Sequence, residues 1–212
     1  MRVLTTKAIL LAASLALVSA AQAEYPPTLR VISPIFGQLV SFAMPSNFVA
    51  VFETTKGSRY IREAVPRGET SERWTQMITV TGEKGLTSSP GVSPEKFAGV
   101  IAGGFRSACP DSFQARSLGD MTFGRFDGFV AVIGCGRIAS GPTPHSETAL
   151  LITVKGATDY YTIQWAERGP ASDAPPVNDE RWQARLRDLG PIDLCPIVAG
   201  EAAPYPSCVN KS

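Results

Sequence analysis

Residues 93–110 read Ser-Pro-Glu-Lys-Phe-Ala-Gly-Val-Ile-Ala-Gly-Gly-Phe-Arg-Ser-Ala-Cys-Pro, and they predict a long helix with strands on either side. Ser93 is suited to cap it, and Pro94 and Glu95 suit its first turn. Apolar residues recur at helical spacing and predict one buried face, formed by Phe97, Val100, Ile101, Phe105 and Ala108. Gly103-Gly104 lower the helix propensity, so either a neighbour packs closely there or the helix ends before Pro110.

Stretches of β-forming residues bounded by turn residues predict strands before and after this helix. The predicted strands are 37–43, 48–55, 58–64 and 74–81, and then 112–118, 128–134, 148–155 and 160–167. A second helix follows a cap at Asn178 or Asp179, and Gly190-Pro191 ends it. Its buried stripe is predicted to be Trp182, Leu186 and Leu189. Because strands and helices do not alternate strictly, the fold class is α+β: a mostly antiparallel β-sheet flanked by two main helices in a single domain.

Alternation within two of these strands predicts which side chains share a face of the sheet. In 74–81, one face holds Trp74, Ile78 and Val80, and the other holds Thr75, Met77 and Thr79. In 160–167, one face holds Tyr161, Ile163 and Trp165, and the other holds Tyr160, Thr162 and Gln164.

The N-terminus has the three parts of a secretory signal peptide. Arg2 and Lys7 supply positive charge, residues 8–19 form an uncharged apolar run, and Ala21-Gln22-Ala23 supplies the small residues of a cleavage site. The apolar run is shorter than the roughly 20 residues that span a bilayer. We therefore expect residues 1–23 to be removed between Ala23 and Glu24, which makes the protein periplasmic or secreted. An ordinary buried N-terminal helix is the alternative.

The remaining chain is expected to consist of an extended lead-in (24–34), an α+β domain (35–190) and a C-terminal tail (191–212). Two of the 20 basic residues and none of the 19 acidic residues lie in the leader, so the mature chain has 20 − 2 = 18 basic residues against 19 acidic ones. This near-neutral balance argues against a nucleic-acid partner or an anionic membrane held by bulk charge. No later stretch is apolar enough to predict stable membrane insertion.

Four cysteines in an exported chain predict two disulfide bonds. Three pairings are possible, and we favour Cys109–Cys135 and Cys195–Cys208 because both close short loops. Each bridge stabilises the fold by about 3 kcal/mol in the chain-entropy model, and the second would fasten the tail. No Cys-x-x-Cys motif occurs and His145 is the only histidine, so no metal site is predicted.

Three local motifs resemble the PsbP-like superfamily of small α/β/α proteins, whose bacterial members include exported domains without assigned function. They are Pro45-Ser46-Asn47-Phe48 at a strand entry, Val65-Pro66-Arg67-Gly68-Glu69-Thr70 followed by Trp74-Thr75, and Ser93-Pro94-Glu95-Lys96-Phe97 at the helix start. The likeness spans about residues 35–190 and implies a sheet flanked by helices and a binding or assembly role. The four cysteines and the tail after Leu189 depart from the family pattern.

One glycine-rich stretch fits a cofactor motif but lacks the structure that the motif needs. Gly134, Gly136 and Ala139 match the dinucleotide-binding pattern after an apolar strand. A helix must start there to face the pyrophosphate, but Ser-Gly-Pro-Thr-Pro at 140–144 breaks helices. We therefore predict no cofactor. His145, Ser146 and Glu147 are neighbours in sequence rather than a triad, so no catalytic residue is assigned.

The first functional hypothesis is an exported binding or accessory domain whose partner is a protein or small ligand of the cell envelope. Trp74, Tyr160 and Trp165 are candidates to line a ligand groove, although aromatic residues at this spacing also form sheet cores. The second hypothesis is a periplasmic hydrolase with a carboxylate site assembled from distant strands. Its candidate acids are Glu53, Glu69 and Glu167. A purely structural envelope component is the third possibility.

Overall fold

The structure is a computed structural model that describes residues 28–138 and 143–209. The predicted signal peptide and its cleavage point lie outside the described residues. The strands are β1 (Thr28–Ile35), β2 (Gln38–Pro45), β3 (Phe48–Lys56), β4 (Arg59–Pro66), β5 (Gln76–Glu83), β6 (Phe113–Phe123), β7 (Phe126–Ile138), β8 (His145–Lys155), β9 (Tyr160–Pro170) and β10 (Asp193–Pro196). The helices are α1 (Pro94–Ala108), α2 (Arg181–Asp188) and the short α3 (Pro206–Val209), with a 3-10 turn at Leu86–Ser88.

The strands form two antiparallel sheets. The large sheet has seven strands in the order β3-β4-β5-β9-β8-β7-β6, and the small sheet has the order β1-β2-β10. Helix α1 packs on one face of the large sheet, while the small sheet and α2 cover the other face. The predicted α+β class, with a mostly antiparallel sheet and two main helices, is confirmed. Along residues 28–138 and 143–209, no helix combines the length and the apolar character that a membrane crossing requires.

Helix α1 has the predicted ends but a different buried face. Ser93 Oγ accepts a hydrogen bond from Lys96 N at 3.2 Å, as expected of a cap. Ala98 is the residue packed most deeply against the sheet, and Val100 is 73% exposed. Ala108 is exposed as well. The prediction that these last two residues belong to the buried stripe is wrong. The helix packs on the sheet through Ala98, Ile101, Ala102 and Phe105, and Val100 lies about 200° around the helix from Ala98.

The two glycines of α1 fit neither expected alternative. The helix continues past Gly103-Gly104 to Ala108, and a Cβ atom at either glycine would have no neighbour within 4 Å. No close packing therefore requires glycine at these positions.

The predicted faces of β9 are correct, and those of the 74–81 stretch are correct in part. Ile78 and Val80 face the small sheet, and Met77 faces α1. Trp74 packs with Met77 instead of Ile78. It precedes the first residue of β5, so its side chain does not follow the alternating directions of that strand.

Both favoured disulfide bonds form. Cys109–Cys135 joins the end of α1 to β7, with a Cα–Cα distance of 5.7 Å. Cys195–Cys208 joins β10 to α3, with a Cα–Cα distance of 5.6 Å. The tail is also held by pairing of β10 with β2, an interaction that the sequence did not predict.

The glycine-rich stretch of β7 serves packing. Residues 139–144 separate β7 from β8, a connection too short for the helix that dinucleotide binding requires. Gly136 N donates to Ser112 O at 3.0 Å, and Ser172 N donates to Gly136 O at 2.8 Å. A Cβ atom at Gly134 would lie 2.9 Å from Pro175 Cβ. The two glycines therefore allow the 171–176 loop to approach the strand, while Ala139 lies outside the described residues.

Candidate functional site

The three aromatic residues predicted to line a groove lie on two faces of the large sheet. On the α1 face, Trp74 packs beneath the Arg168 guanidinium at 3.8 Å from the ring centre, and Tyr160 packs edge-on against Phe97 at 5.4 Å. Trp165 belongs to the core between the large sheet and the small sheet. The structure does not bring the three side chains together, so they do not line one groove.

A cleft of about 240 Å³ is lined by Trp165 and lies among the start of β3, one end of the small sheet and α2. It combines aromatic, amide and charged side chains: Thr28, Pro45, Asn47, Phe48, Gln76, Trp165, Arg185 and Asp188. The volume is below the roughly 300–1,000 Å³ of pockets for drug-sized ligands. It therefore suits one large side chain or a small organic molecule.

The aromatic part of the cleft is held rigidly. Phe48 packs edge-on against Trp165, with ring centres 5.7 Å apart and an interplanar angle of 72°. Trp165 Nε1 donates to Gln76 Oε1 at 2.9 Å, which satisfies the one polar group of the indole. Both rings are nearly fully buried, with Phe48 6% and Trp165 1% exposed, so they form a rigid floor beneath the cleft that needs little reorganisation on binding.

The charged part of the cleft comes from α2. The Arg185 guanidinium lies 4.4 Å from the centre of the Trp165 ring, a cation–π distance. Its Nε donates to Glu167 Oε1 at 2.8 Å, and its Nη1 lies 3.7 Å from Asp188 Oδ2. Arg181 also pairs with Glu167, at 3.2 Å. The positive charges of Arg181 and Arg185 are therefore balanced by the negative charges of Glu167 and Asp188. This balance favours a ligand group that is neutral or zwitterionic over a free anion.

Sequence reasoning missed Arg185, Gln76 and Asp188 as cleft residues. The signal for Arg185 was present, because it lies three residues after Trp182 and so beside the predicted buried stripe of α2. Nothing local connected α2 to Phe48, which is more than 130 positions earlier in the chain.

The three acids proposed for a hydrolase lie on separate elements and contact different partners. Glu53 on β3 accepts the Tyr60 hydroxyl at 2.8 Å. Glu69, in the connection between β4 and β5, accepts both the Thr75 amide and its hydroxyl at 2.7 Å. Glu167 on β9 is held by the arginines of α2. The structure does not bring these carboxylates together.

A different acid, Glu147, has an altered ionisation. It lies on β8 directly opposite Arg168 of β9, with Oε2 3.6 Å from Nε. Burial raises the pKa of Glu147 above its ordinary value, against the opposing charges of Arg168 and His145. His145 and Glu147 share a face because residues two apart in a strand do so, a relation that our rejection of a triad overlooked. Cys135 of β7 lies opposite Glu147, so the Glu147–Arg168 ion pair is beside the Cys109–Cys135 disulfide bond.

Comparisons with known proteins give matches among solved structures only. No family model matches the chain, and no curated protein matches it. A crystal structure of a protein from Bacteroides thetaiotaomicron VPI-5482 is 12% identical over 76% of this chain, with a TM-score of 0.38. A mutant of the protein Mog1 is 10% identical over 77% of this chain, with a TM-score of 0.44. The Saccharomyces cerevisiae Ran-binding protein Mog1p is 10% identical over 78%, with a TM-score of 0.41.

The extent of these matches differs between the three proteins. The chain spans 46% of the Bacteroides protein, 85% of the Mog1 mutant and 87% of Mog1p. All three TM-scores are below 0.5, so the likenesses carry no conclusion about function. The resemblance to the PsbP-like superfamily stays a prediction.

Proposed function

We propose that this chain is an exported binding domain of the PsbP-like type, which holds part of a partner molecule in the cleft beside Trp165. The observation that carries the proposal is the composition of that cleft. Phe48 and Trp165 form the ordered, nearly buried apolar floor of the cleft, while Asn47 and the Arg185–Asp188 pair supply polar groups at its wall. An apolar surface with a few fixed polar groups is the usual composition of a ligand site.

Two observations support export. The N-terminal residues have the charge order and the small-residue motif of a cleaved leader. All four cysteines are paired in the structure, and such bridges persist in oxidising compartments. The partner is therefore proposed to be a protein or a small ligand of the cell envelope.

A pair of substitutions in one turn tests the cleft. Ser46 and Asn47 connect β2 to β3, and of these two only Asn47 lines the cleft. Asn47→Trp fills the cleft, and Ser46→Trp is the matched control that adds the same bulk to the same turn. Each chain is purified from the exported fraction and weighed by native mass spectrometry.

The expected result is a bound species on the wild-type chain and the control, reduced at least about tenfold on Asn47→Trp. An equal amount of bound species on both variants would place binding elsewhere. If the chain carries nothing and the pure protein instead turns over a substrate, the binding function is wrong and the hydrolase hypothesis takes its place.

A further inference from the structure

One of the four sheet edges is less protected than the others. Edge strands invite pairing with other chains, and proteins usually prevent it with bulges, prolines or short strands. The edge strands β3 and β6 each contain a register shift, at Ala50/Phe52 and at Ser117/Gly119. The edge strand β10 has four residues and ends at Pro196. The edge strand β1 is eight residues long and pairs with β2 without a break, and its proline, Pro34, lies next to the turn and leaves residues 28–33 unprotected.

The turn between β1 and β2 determines which backbone groups of β1 point outward. Phe36 and Gly37 form a two-residue turn, with Phe36 at φ 53°, and Ile35 pairs with Gln38. Such hairpins close on a hydrogen-bonded pair, and bonded pairs alternate along an antiparallel ladder. The N–H and C=O groups of Thr28, Arg30 and Ile32 therefore point away from β2. No strand among the described residues pairs with this edge.

Proline occurs in β1 at a position consistent with this assignment. Pro34 falls in the outward-pointing set, where the missing N–H removes no bond to β2. Unblocked pairing groups are therefore available from Thr28 to Ser33, a length of about 20 Å for six residues.

Apolar surface beside this edge is uncovered. Leu29 lies on the same face of β1 as Val31 and opposite Met44, both of which pack into the core between the sheets. Leu29 itself is 53% exposed. Its neighbour Thr28 lines the cleft beside Trp165. An open strand edge, an exposed leucine and the cleft thus adjoin one another.

We propose that β1 accepts an extended segment of a partner protein as an additional strand, with one side chain of that segment entering the cleft. This inference rests on the proposed function and specifies its partner as a polypeptide in extended conformation. Backbone hydrogen bonds to the outward groups supply affinity, and the cleft selects the side chain. The neutral charge balance of the cleft favours an apolar or amide side chain there.

A second copy of this chain fits the site less well than a separate partner. In an antiparallel β1–β1 pair the outward-pointing residues must lie opposite one another, so pairing of the stretch from Thr28 to Ser33 puts Arg30 opposite Arg30 and Thr28 opposite Ile32 of the other copy. Like charges directly opposite each other destabilise a strand pair, and Ile32 packs against its own core, so a second copy offers the cleft no side chain.

The test uses the mature, disulfide-bonded chain and a defined probe. Octapeptides are selected from a phage-displayed random library, and the best is synthesised with acetylated and amidated ends. Arg30→Pro removes one outward N–H and the guanidinium that pairs with Asp193 at 2.7 Å. Arg30→Ala is the matched control, because it removes the same ion pair and keeps the N–H. We expect Arg30→Pro to weaken peptide binding at least about tenfold and Arg30→Ala less than about threefold.

Amide hydrogen exchange on the wild-type chain makes the test independent of how the variants fold. The Arg30 and Ile32 amides should exchange rapidly in the free chain and at least about tenfold more slowly with the octapeptide bound. The Val31 amide, which faces β2, should be protected in both states. Failure to select any octapeptide, unchanged exchange at Arg30 and Ile32, or equal binding by the two Arg30 variants would overturn the proposal.

The cleft variant separates this inference from the proposed function. If Asn47→Trp binds the octapeptide weakly and the two Arg30 variants bind it equally, the cleft is a binding site but β1 does not accept an additional strand. If Arg30→Pro binds the octapeptide weakly and Asn47→Trp binds it as well as the wild type does, no side chain of the peptide enters the cleft. That result rejects the function proposed for the cleft.

Discussion

Asp159 joins three separate parts of the fold through its hydrogen bonds. Its carboxylate accepts from Gly85 N at 2.7 Å, Gly37 N at 3.1 Å, the Thr158 hydroxyl at 3.0 Å and the Tyr161 hydroxyl at 3.2 Å. The side chain is 2% exposed and links the β1–β2 turn, the end of β5 and the β8–β9 hairpin. Burial acts to raise the pKa of Asp159, but these hydrogen bonds together hold it below its ordinary value.

Asp159→Ala should lower the free energy of unfolding at pH 7 by about 3 kcal/mol, because it leaves buried backbone donors without a partner. Urea titration monitored by circular dichroism measures the change. The control Asp120→Ala removes an exposed acid and should change the free energy by less than about 0.5 kcal/mol. Similar losses in the two variants would show that the Asp159 hydrogen bonds contribute little.

The same residue should make stability depend on pH. Because the pKa of Asp159 is lower in the folded state, its contribution is fully present above the unfolded pKa of about 4 and is lost as pH falls through the folded pKa. The stability difference between wild type and Asp159→Asn should therefore shrink as urea titrations are repeated from pH 6 down to pH 2. A difference that stays constant over this range would contradict the assignment.

At the scale of single elements, local sequence predicted most of the structure. Turn residues and β-formers placed eight strands, and the Ser93 cap placed the start of α1. The predicted face of α1 was partly wrong, because helical spacing selected Val100 while Ala98 is the residue buried against the sheet. Which side of a helix packs on a sheet depends on both surfaces and cannot be deduced from the helix sequence alone.

The small sheet was predicted only in part. Its strand β2 was expected, but residues 24–34, which contain most of β1, were expected to form an extended lead-in, and β10 was expected to be part of the tail. β10 pairs with β2 although about 150 residues separate them, and its four residues carry no periodic signal. The cleft depends on this sheet, since Thr28 and Pro45 form part of its lining. The sequence could therefore identify Trp165 as a candidate but not the residues around it.

Gly104→Ala in α1 should raise the free energy of unfolding by about 0.5–1 kcal/mol, because alanine reduces the entropy of the unfolded chain and its Cβ meets no atom. Thermal and urea unfolding measure this. The contrasting variant is Gly128→Ala, whose Cβ would lie 2.6 Å from both the Phe123 ring and Thr153 O and which should destabilise the fold. A destabilised Gly104→Ala protein would indicate that this helix face has a neighbour in solution.

At the scale of the whole molecule, two disulfide bonds and two sheets combine into one domain. One bridge holds α1 to the large sheet, and the other holds the tail to the small sheet. The cleft lies where the small sheet, the large sheet and α2 meet. Its geometry therefore depends on the docking of the small sheet.

The intact mass of the protein isolated from its natural cells tests the export proposal. We expect a chain that begins at Glu24 and lacks four hydrogens, because two disulfide bonds have formed. Non-reducing peptide mapping should recover Cys109 with Cys135 and Cys195 with Cys208. A chain that retains Met1, or four cysteines that react with a thiol reagent without reduction, would contradict export.

The claim that the cleft is a binding site is tested most directly by a crystal structure of the chain purified without unfolding from its natural cells. We predict electron density for a partner segment or molecule inside the cleft above Phe48 and Trp165, within hydrogen-bonding distance of Asn47 or Arg185. A cleft that contains only water, with a bound partner elsewhere on the surface, would contradict it.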